Sequence, residues 1–243
     1  MTFWKDKVVL VTGAHGFVGT HVVRMLKDLD AVVRAPSRYD YDLTVEHHVN
    51  LMFKHLQPEV VIHLAGKVGG IAANKSEPGT FFYDNIMMGT LVMDYARRYN
   101  VQKTVALAAG CGYPLHLSVP YTENDFWTGL PQEESMGYSM AKKMLIVQSW
   151  TYRAQYGFNS SILLPANLYG PNDNFDLEKS HVVPALIRKF LDAKQNNIPL
   201  VEVWGTGAAT REFLYVEDTA KAILDVAEKF DHCGPLNLGT GVE

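Results

Sequence analysis

A strand-length apolar run that ends in glycines and opens a helix constrains this chain more than any other feature. Residues 7–12 (KVVLVT) carry no polar alternation and lead straight into Gly13-Ala14-His15-Gly16-Phe17-Val18-Gly19. A helical apolar pattern follows over residues 18–29. Glycines leave room for backbone N–H groups to approach an anion, and a helix N-terminus adds partial positive charge. The turn therefore reads as a cradle for a pyrophosphate. The competing reading is a tight turn with no ligand. The turn's place at the first strand of an α/β rhythm argues against it.

That rhythm runs through most of the chain. Short apolar runs at residues 31–34, 60–64, 104–108 and 160–164 alternate with helical patterns at 47–56, 84–99 and 138–156. Strands buried on both faces lack polar alternation, so the expected fold is α/β, a doubly wound parallel sheet covered on both sides. Past Pro165 the pattern loosens, with helices expected over 181–194 and 216–230 and strands over 201–204 and 235–238. The expected organisation is a nucleotide-binding domain over residues 1–165 and a smaller, partly interleaved substrate lobe over 166–243. A Gly239-Thr240-Gly241 turn after a strand normally leads onward, so the lobe reads as cut short.

Composition narrows the function classes. The 243 residues are 47% hydrophobic, enough for one large core or a core with an appended lobe. A formal net charge of -4 offers nothing to a nucleic-acid polyanion. No apolar run is long enough to cross a bilayer. The first strand begins a few residues after Met1, so no signal peptide is expected. Two cysteines, Cys111 and Cys233, fit a reducing cytoplasm better than a disulfide scaffold. No metal is expected.

The second strand selects the dinucleotide. An acid at its end would bind a ribose 2′-hydroxyl. Here the chain reads Val33-Arg34-Ala35-Pro36-Ser37-Arg38, and cations suit the 2′-phosphate of NADP. Solvated surface arginines are the plain alternative. Asp42 and Leu43 are candidates for the adenine pocket.

Tyr138-Ser139-Met140-Ala141-Lys142 puts a tyrosine and a lysine four residues apart, on one face of a helix. An ammonium beside a phenol favours phenolate and lowers the tyrosine pKa. Such a phenol can exchange a proton with a carbonyl oxygen while hydride moves at carbon. The pair is common by chance. Its place on the helix before the fifth strand, downstream of the glycine turn, gives it meaning.

The glycine spacing and the Tyr-x-x-x-Lys pair match the short-chain dehydrogenases/reductases. Narrower motifs then resemble the GDP-L-fucose synthase family, in the extended type of that superfamily. They are His63-Leu64-Ala65-Gly66-Lys67-Val68-Gly69-Gly70-Ile71, Cys111-Gly112-Tyr113-Pro114, residues 167–175 (NLYGPNDNF), residues 180–190 (SHVVPALIRKF), Trp204-Gly205-Thr206-Gly207 and Arg211-Glu212-Phe213. The likeness covers essentially the whole chain. It implies a homodimer that uses NADP(H), epimerises C3 and C5 of GDP-4-keto-6-deoxy-D-mannose and reduces C4. It adds Leu64, Ala65, Gly66, Leu107, Ala108, Ala109, Gly110, Pro165, Ala166, Asn167, Leu168 and His181 to the cofactor contacts. It gives Cys111 and His181 as the acid/base pair, and both groups titrate near neutral pH. Alone, each would read as structural.

The resemblance also implies substrate contacts at Cys111, Asn167, Val182, Leu186, Lys189, Trp204 and Arg211. Cations suit a diphosphate, and an indole offers a flat face to a sugar or base. The plain alternatives are a solvated Lys189 and a core Trp204. The helix over 84–99 is apolar around much of its surface, and the resemblance pairs it with the Tyr138 helix in a four-helix bundle across a dimer.

One departure matters. The family has a Ser or Thr two residues before the cysteine, and here that position is Ala109, with no hydroxyl. Three readings stand open. Ala109 is a substitution introduced to trap a ligand; or another donor, such as Tyr113 or a water, replaces the hydroxyl; or reduction is impaired and epimerisation, isomerisation or binding remains. Two alternatives to the main reading also stand. One is a C4-reductase or epimerase of another GDP-4-keto sugar, such as a heptose. The other is a non-catalytic protein that binds NADP or a nucleotide sugar.

Overall fold

The computed structural model describes residues 3–177, 180–203 and 205–242. Its centre is a six-stranded parallel sheet in the order β2-β1-β3-β4-β5-β8. These strands are β1 (Val8–Thr12), β2 (Val32–Arg34), β3 (Val60–His63), β4 (Lys103–Leu107), β5 (Ser160–Pro165) and β8 (Pro235–Leu238). β6 (Asn167–Tyr169) and β7 (Phe213–Tyr215) form a separate parallel pair. The helices are α1 (Phe17–Asp28), α2 (Glu46–Leu56), α3 (Ile71–Ser76), α4 (Pro78–Arg98), α5 (Met136–Tyr156), α6 (Val182–Gln195) and α7 (Val216–Lys229).

The lack of polar alternation has its structural counterpart in two cores, one on each face of the sheet. Leu10, Val61, Ala106, Ile162 and Leu164 pack under α2, α4 and α5 with Met52, Phe53, Val92, Met93 and Ile146. Their neighbours Val9, Val11, Ile62, Val105 and Leu163 point the other way, onto Val22 and Leu26 of α1 and Ala220, Ile223 and Leu224 of α7. Successive strand residues face opposite sides, so a strand buried on both must be apolar throughout. Burying each such side chain contributes roughly 1.5–3 kcal/mol. The doubly wound parallel sheet is as expected.

The second half of the chain returns to the first. α7 packs along α1, and β8 pairs with β5 from Ile162↔Pro235 to Pro165↔Leu238. α7 buries Val216, Ala220, Ile223, Leu224 and Ala227, an apolar stripe at helical spacing. Glu217 and Asp218 in its first turn suit the helix dipole.

Some expectations need correction. Residues 201–203 form no strand, and Trp204 lies outside the described residues. Branched residues there suggested a strand, but among the described residues this segment joins neither sheet. The helix expected from residue 84 begins at Pro78, whose fixed φ and missing N–H suit a first helical position. A strand-to-helix junction is expected just after Arg211-Glu212-Phe213, and β7 runs into α7 there; α3 and β6 are too short for periodicity to register.

Strand order positions the site. From β1 the chain steps out to β2 and then crosses back to β3 on the other side. Ligands of open α/β sheets bind beyond the carboxyl ends of strands at such a switch point. Gly13, Leu64, Ala108 and Ala166 all follow directly from those ends.

Candidate active site

The cradle is built by backbone contact. Gly13 has φ +70, and a Cβ there would lie 2.7 Å from the Ala65 nitrogen, so β1 and β3 meet closely at their ends. A Cβ at Gly19 would sit 2.1 Å from the Gly13 oxygen. Side-chain-free positions thus let α1 begin directly over the turn. Gly16 caps α1 in extended geometry with no side-chain bond. The N–H groups of Phe17, Val18 and Gly19 therefore have no acceptor within the helix. Ala14 is buried beneath the turn, and the His15 ring reaches the Ala35 carbonyl at 3.2 Å. These donors fit the diphosphate of a dinucleotide.

Beyond β2, Arg38 is exposed and lies 3.6 Å from Asp42. Asp42 accepts from the Thr44 backbone at 2.9 Å and its hydroxyl at 2.7 Å, which holds its carboxyl below the usual range. Leu43 packs half-buried against the core. The loop after β2 thus presents an exposed guanidinium, a group that suits a phosphate.

The floor of the cleft is buried and polar. Thr12 Oγ1 and His63 Nδ1 are 2.7 Å apart, both buried. Burial, and then the charge of Lys142, push His63 down to about 3. Asn85 of α4 holds the loop after β3. Its amide donates to the Lys67 and Phe81 carbonyls at 3.0 and 2.7 Å, and its oxygen accepts from the Lys67 nitrogen at 3.1 Å. A Cβ at Gly66 would come within 3.3 Å of Lys142 Nζ, so the loop passes against α5. Neither His63 nor Asn85 received a role from the sequence. For His63 the available signal was an isolated polar residue in an otherwise apolar run; Asn85, next to Asp84, had none.

α5 brings Tyr138 and Lys142 to this floor. Lys142 is buried, and Nζ donates to the Leu107 carbonyl at 3.1 Å. Burial pushes its pKa down to about 8, with Cys111 opposing. Nζ lies 5.9 Å from the centre of the Tyr138 ring, and no hydrogen bond joins the two side chains. Burial raises Tyr138 above its ordinary value, and Cys111 adds to that. This corrects the expected direction: in the protein alone, desolvation outweighs an ammonium aimed at a carbonyl.

Cys111 sits in a 3-10 turn, Gly110–Gly112, at the end of β4. The turn hugs the core, because a Cβ at Gly112 would lie 2.3 Å from the Phe126 ring. The thiol opens to solvent, yet crowding by the cleft walls raises its pKa. Ser139 donates within 3.2 Å of both the Cys111 carbonyl and Sγ, a contact absent from the sequence reading. Ala109 precedes the turn in extended geometry and contributes a methyl. The Ala108 nitrogen bonds Leu163, anchoring this segment to β5. Tyr113 donates to Asn237 Oδ1 at 2.6 Å, so its hydroxyl is already engaged.

The outer wall comes from β6, α6 and the segment before β7. His181 stands exposed at the start of α6, and burial raises the carboxyl of Asp173. No hydrogen bond joins His181 to Cys111 among the described residues. Pro165 and Ala166 lead out of β5, with Ala166 bonded to the Leu238 carbonyl at 2.8 Å. Asn167 donates to the Glu212 carbonyl at 3.0 Å, and Leu168 pairs with Leu214. Lys189 Nζ donates to the Glu202 carbonyl at 3.1 Å. Val182 and Arg211 are exposed, and Leu186 is half-buried. A cavity of about 250 Å³ lies beside this wall, lined by Tyr169, Pro171, Phe175, Pro184 and Ile187, with Asp173 at its edge. It holds none of Tyr138, Lys142 and Cys111, which lie in the cleft above the sheet.

Comparison with known proteins agrees with this architecture. Residues 9–239 match the NAD dependent epimerase/dehydratase family. The GDP-L-fucose synthase of Sinorhizobium fredii is 38% identical over 98% of this chain and 76% of its own length. The GDP-L-colitose synthase of Yersinia pseudotuberculosis is 35% identical over 96% of this chain and 76% of its own. Among solved structures, the GDP-L-fucose synthetase of Naegleria fowleri bound to NADP superposes with a TM-score of 0.89 at 30% identity, covering 99% of this chain and 79% of that one. A GDP-mannoheptose C4 reductase from Campylobacter jejuni with NADP bound superposes at 0.90 with 28% identity, over 99% of this chain and 82% of that one. The chain therefore belongs to the NAD dependent epimerase/dehydratase family, on the branch that holds the GDP-L-fucose and GDP-L-colitose synthases.

Proposed function

We propose that the chain is an NADPH-dependent epimerase-reductase of a GDP-linked 4-keto-6-deoxy sugar. One observation carries this reading: Tyr138, Lys142 and Cys111 converge on one cleft at the strand ends, directly beside the glycine cradle. NADPH, when bound, supplies the hydride for C4. The cradle at Gly13, Gly16 and Gly19 takes its diphosphate, and Arg38 takes its 2′-phosphate. Residues 1–165 bind the dinucleotide, and residues 166–243 bind the sugar nucleotide through Asn167, Val182, Leu186, Lys189, Trp204 and Arg211.

The 4-keto group acidifies the C–H bonds at C3 and C5. Cys111 and His181 remove and return those protons on opposite faces of the ring. Tyr138 gives its proton to the carbonyl oxygen as hydride arrives, which suits a phenol held protonated by burial. Lys142, charged below about pH 8, stabilises the phenolate left behind. Ala109 leaves that oxygen one donor short, so reduction runs slowly. α4 and α5 also present Phe82, Tyr83 and Trp150 to solvent, and we assign that surface to a homodimer through a four-helix bundle.

A second reading, C4 reduction of another GDP-4-keto sugar such as a heptose, is favoured by the likeness to the Campylobacter jejuni reductase. Incubation with GDP-4-keto-6-deoxy-D-mannose in deuterated water separates the readings. Label at C3 or C5 without NADPH, followed by NADPH oxidation, supports the epimerase-reductase. Oxidation of NADPH without label supports the plain reductase. NADPH binding with neither reaction leaves a non-catalytic binding protein.

A further inference from the structure

We propose that Ser139 is a positioning residue for Cys111, its hydroxyl holding the sulfur and favouring the thiolate whenever Cys111 has given up its proton. The inference rests on Cys111 acting as an acid/base group. Ser139 follows Tyr138 directly on α5, so the helix that carries the phenol also carries this hydroxyl. It is fully buried, and its oxygen lies 3.2 Å from Sγ, 3.2 Å from the Cys111 carbonyl and 3.2 Å from Ser135 Oγ. One hydroxyl carries one proton and has three acceptors around it. When Cys111 is a thiol, its sulfur is a weak acceptor, and the Cys111 carbonyl and Ser135 Oγ compete better for that proton. Once the sulfur is an anion, the charge-assisted bond prevails and the hydroxyl turns to it. The result is a donor that strengthens as negative charge appears on sulfur.

The surroundings make this donor matter. The cleft walls disfavour the thiolate, and few groups oppose them. α5 packs on the Cys111 turn and contributes Ser139, Lys142 and Tyr138, while Ser135 stands at its start. Lys142 favours the thiolate by charge but donates to Leu107. Tyr138 remains a neutral phenol. Glu134, just before the helix, is drawn to Lys75 at 3.3 Å. The Ser135 hydroxyl also favours the thiolate, and Ser139 stands 3.2 Å from Sγ, where its hydroxyl can reorient without moving the backbone.

The test is a titration without substrate. In a Cys233→Ser background, the ultraviolet absorbance of the Cys111 thiolate is followed against pH, with Cys111→Ser as the blank. Ser139→Ala removes one buried oxygen and adds no bulk. We expect its curve to move to higher pH, with about two- to ten-fold less thiolate below the midpoint, the range of a single hydrogen bond. Ser139→Thr, which keeps the hydroxyl, returns the curve toward the parent. Coincident curves for the parent and Ser139→Ala, with unchanged circular dichroism, overturn the proposal. A displaced curve in a protein that turns over no 4-keto sugar removes the activity and keeps the coupling. Coincident curves in an active enzyme remove the coupling alone.

Discussion

The Lys142 ammonium donates to the Leu107 carbonyl at 3.1 Å and stands 5.9 Å from the centre of the Tyr138 ring. The charge is thus fixed to the end of β4, poised near the phenol and not bonded to it. Burial of that charge opposes folding. With its pKa at about 8 in the fold against 10.5 when exposed, Lys142 contributes full stability only above about pH 10.5. That contribution falls between 10.5 and 8 and is lost below 8. Lys142→Met keeps the length and removes the charge. We expect it to be more stable at neutral pH by about 1–3 kcal/mol, and reduction to be abolished. Urea unfolding at neutral and alkaline pH checks this, since the gain shrinks as pH rises.

In the proposed reduction, Ala109 stands where a hydroxyl would serve the carbonyl oxygen. Ala109→Ser is expected to raise NADPH-dependent reduction of the 4-keto sugar, up to the order of 10²-fold, the usual worth of one oriented donor. Tyr113 does not substitute for it, because its hydroxyl donates to Asn237 at 2.6 Å. Tyr113→Phe should therefore leave turnover within about two-fold while losing roughly 1 kcal/mol of stability. Steady-state rates of both variants decide the point. An unchanged rate in Ala109→Ser, with the fold intact, would mean that another donor acts.

Much of this was legible in the sequence, for identifiable reasons. Double-sided burial gives strands such as β1 and β3 apolar runs without polar alternation, so the parallel sheet could be read directly. The Gly13 and Gly19 approaches are steric, and sterics leave a signature in residue type. Tyr138 and Lys142 share a face by helix geometry alone. What stayed hidden depends on contacts between distant segments. The Thr12–His63 pair joins two strands 51 residues apart, and Ser139 meets Cys111 across 28. Nothing local marks either. The short strands β6 and β7 exist only because each is the other's partner.

His63 carries a prediction of its own. It is buried and neutral, with its pKa pushed down to about 3 from an ordinary 6.5. Its contribution is present above about pH 6.5, falls as pH drops toward 3, and is gone below that. Protonation would put a second cation beside Lys142. We expect the protein to lose about 2 kcal/mol between neutral pH and the mid-acid range from this group. His63→Gln offers Thr12 an amide that does not titrate. Its stability should fall less over the same range, and denaturant midpoints at a series of pH values measure the difference.

Under the proposed function, Arg38 selects the dinucleotide by reading its 2′-phosphate. It is exposed on the loop after β2, at 3.6 Å from an Asp42 carboxylate that Thr44 keeps ionised. That acid does double duty: it holds the guanidinium in place, and it repels a 2′-phosphate that lacks the arginine. Arg38→Ala should therefore weaken NADPH binding by about 10- to 100-fold, the range for loss of a phosphate fork. NADH has no phosphate to be repelled, so its affinity should stay within about three-fold. Adding Asp42→Asn to Arg38→Ala should return part of the NADPH affinity, because the repulsion is then gone. Fluorescence titration of both dinucleotides against the three proteins gives the result. Equal losses for NADPH and NADH would mean that Arg38 supports the loop and takes no part in reading the phosphate.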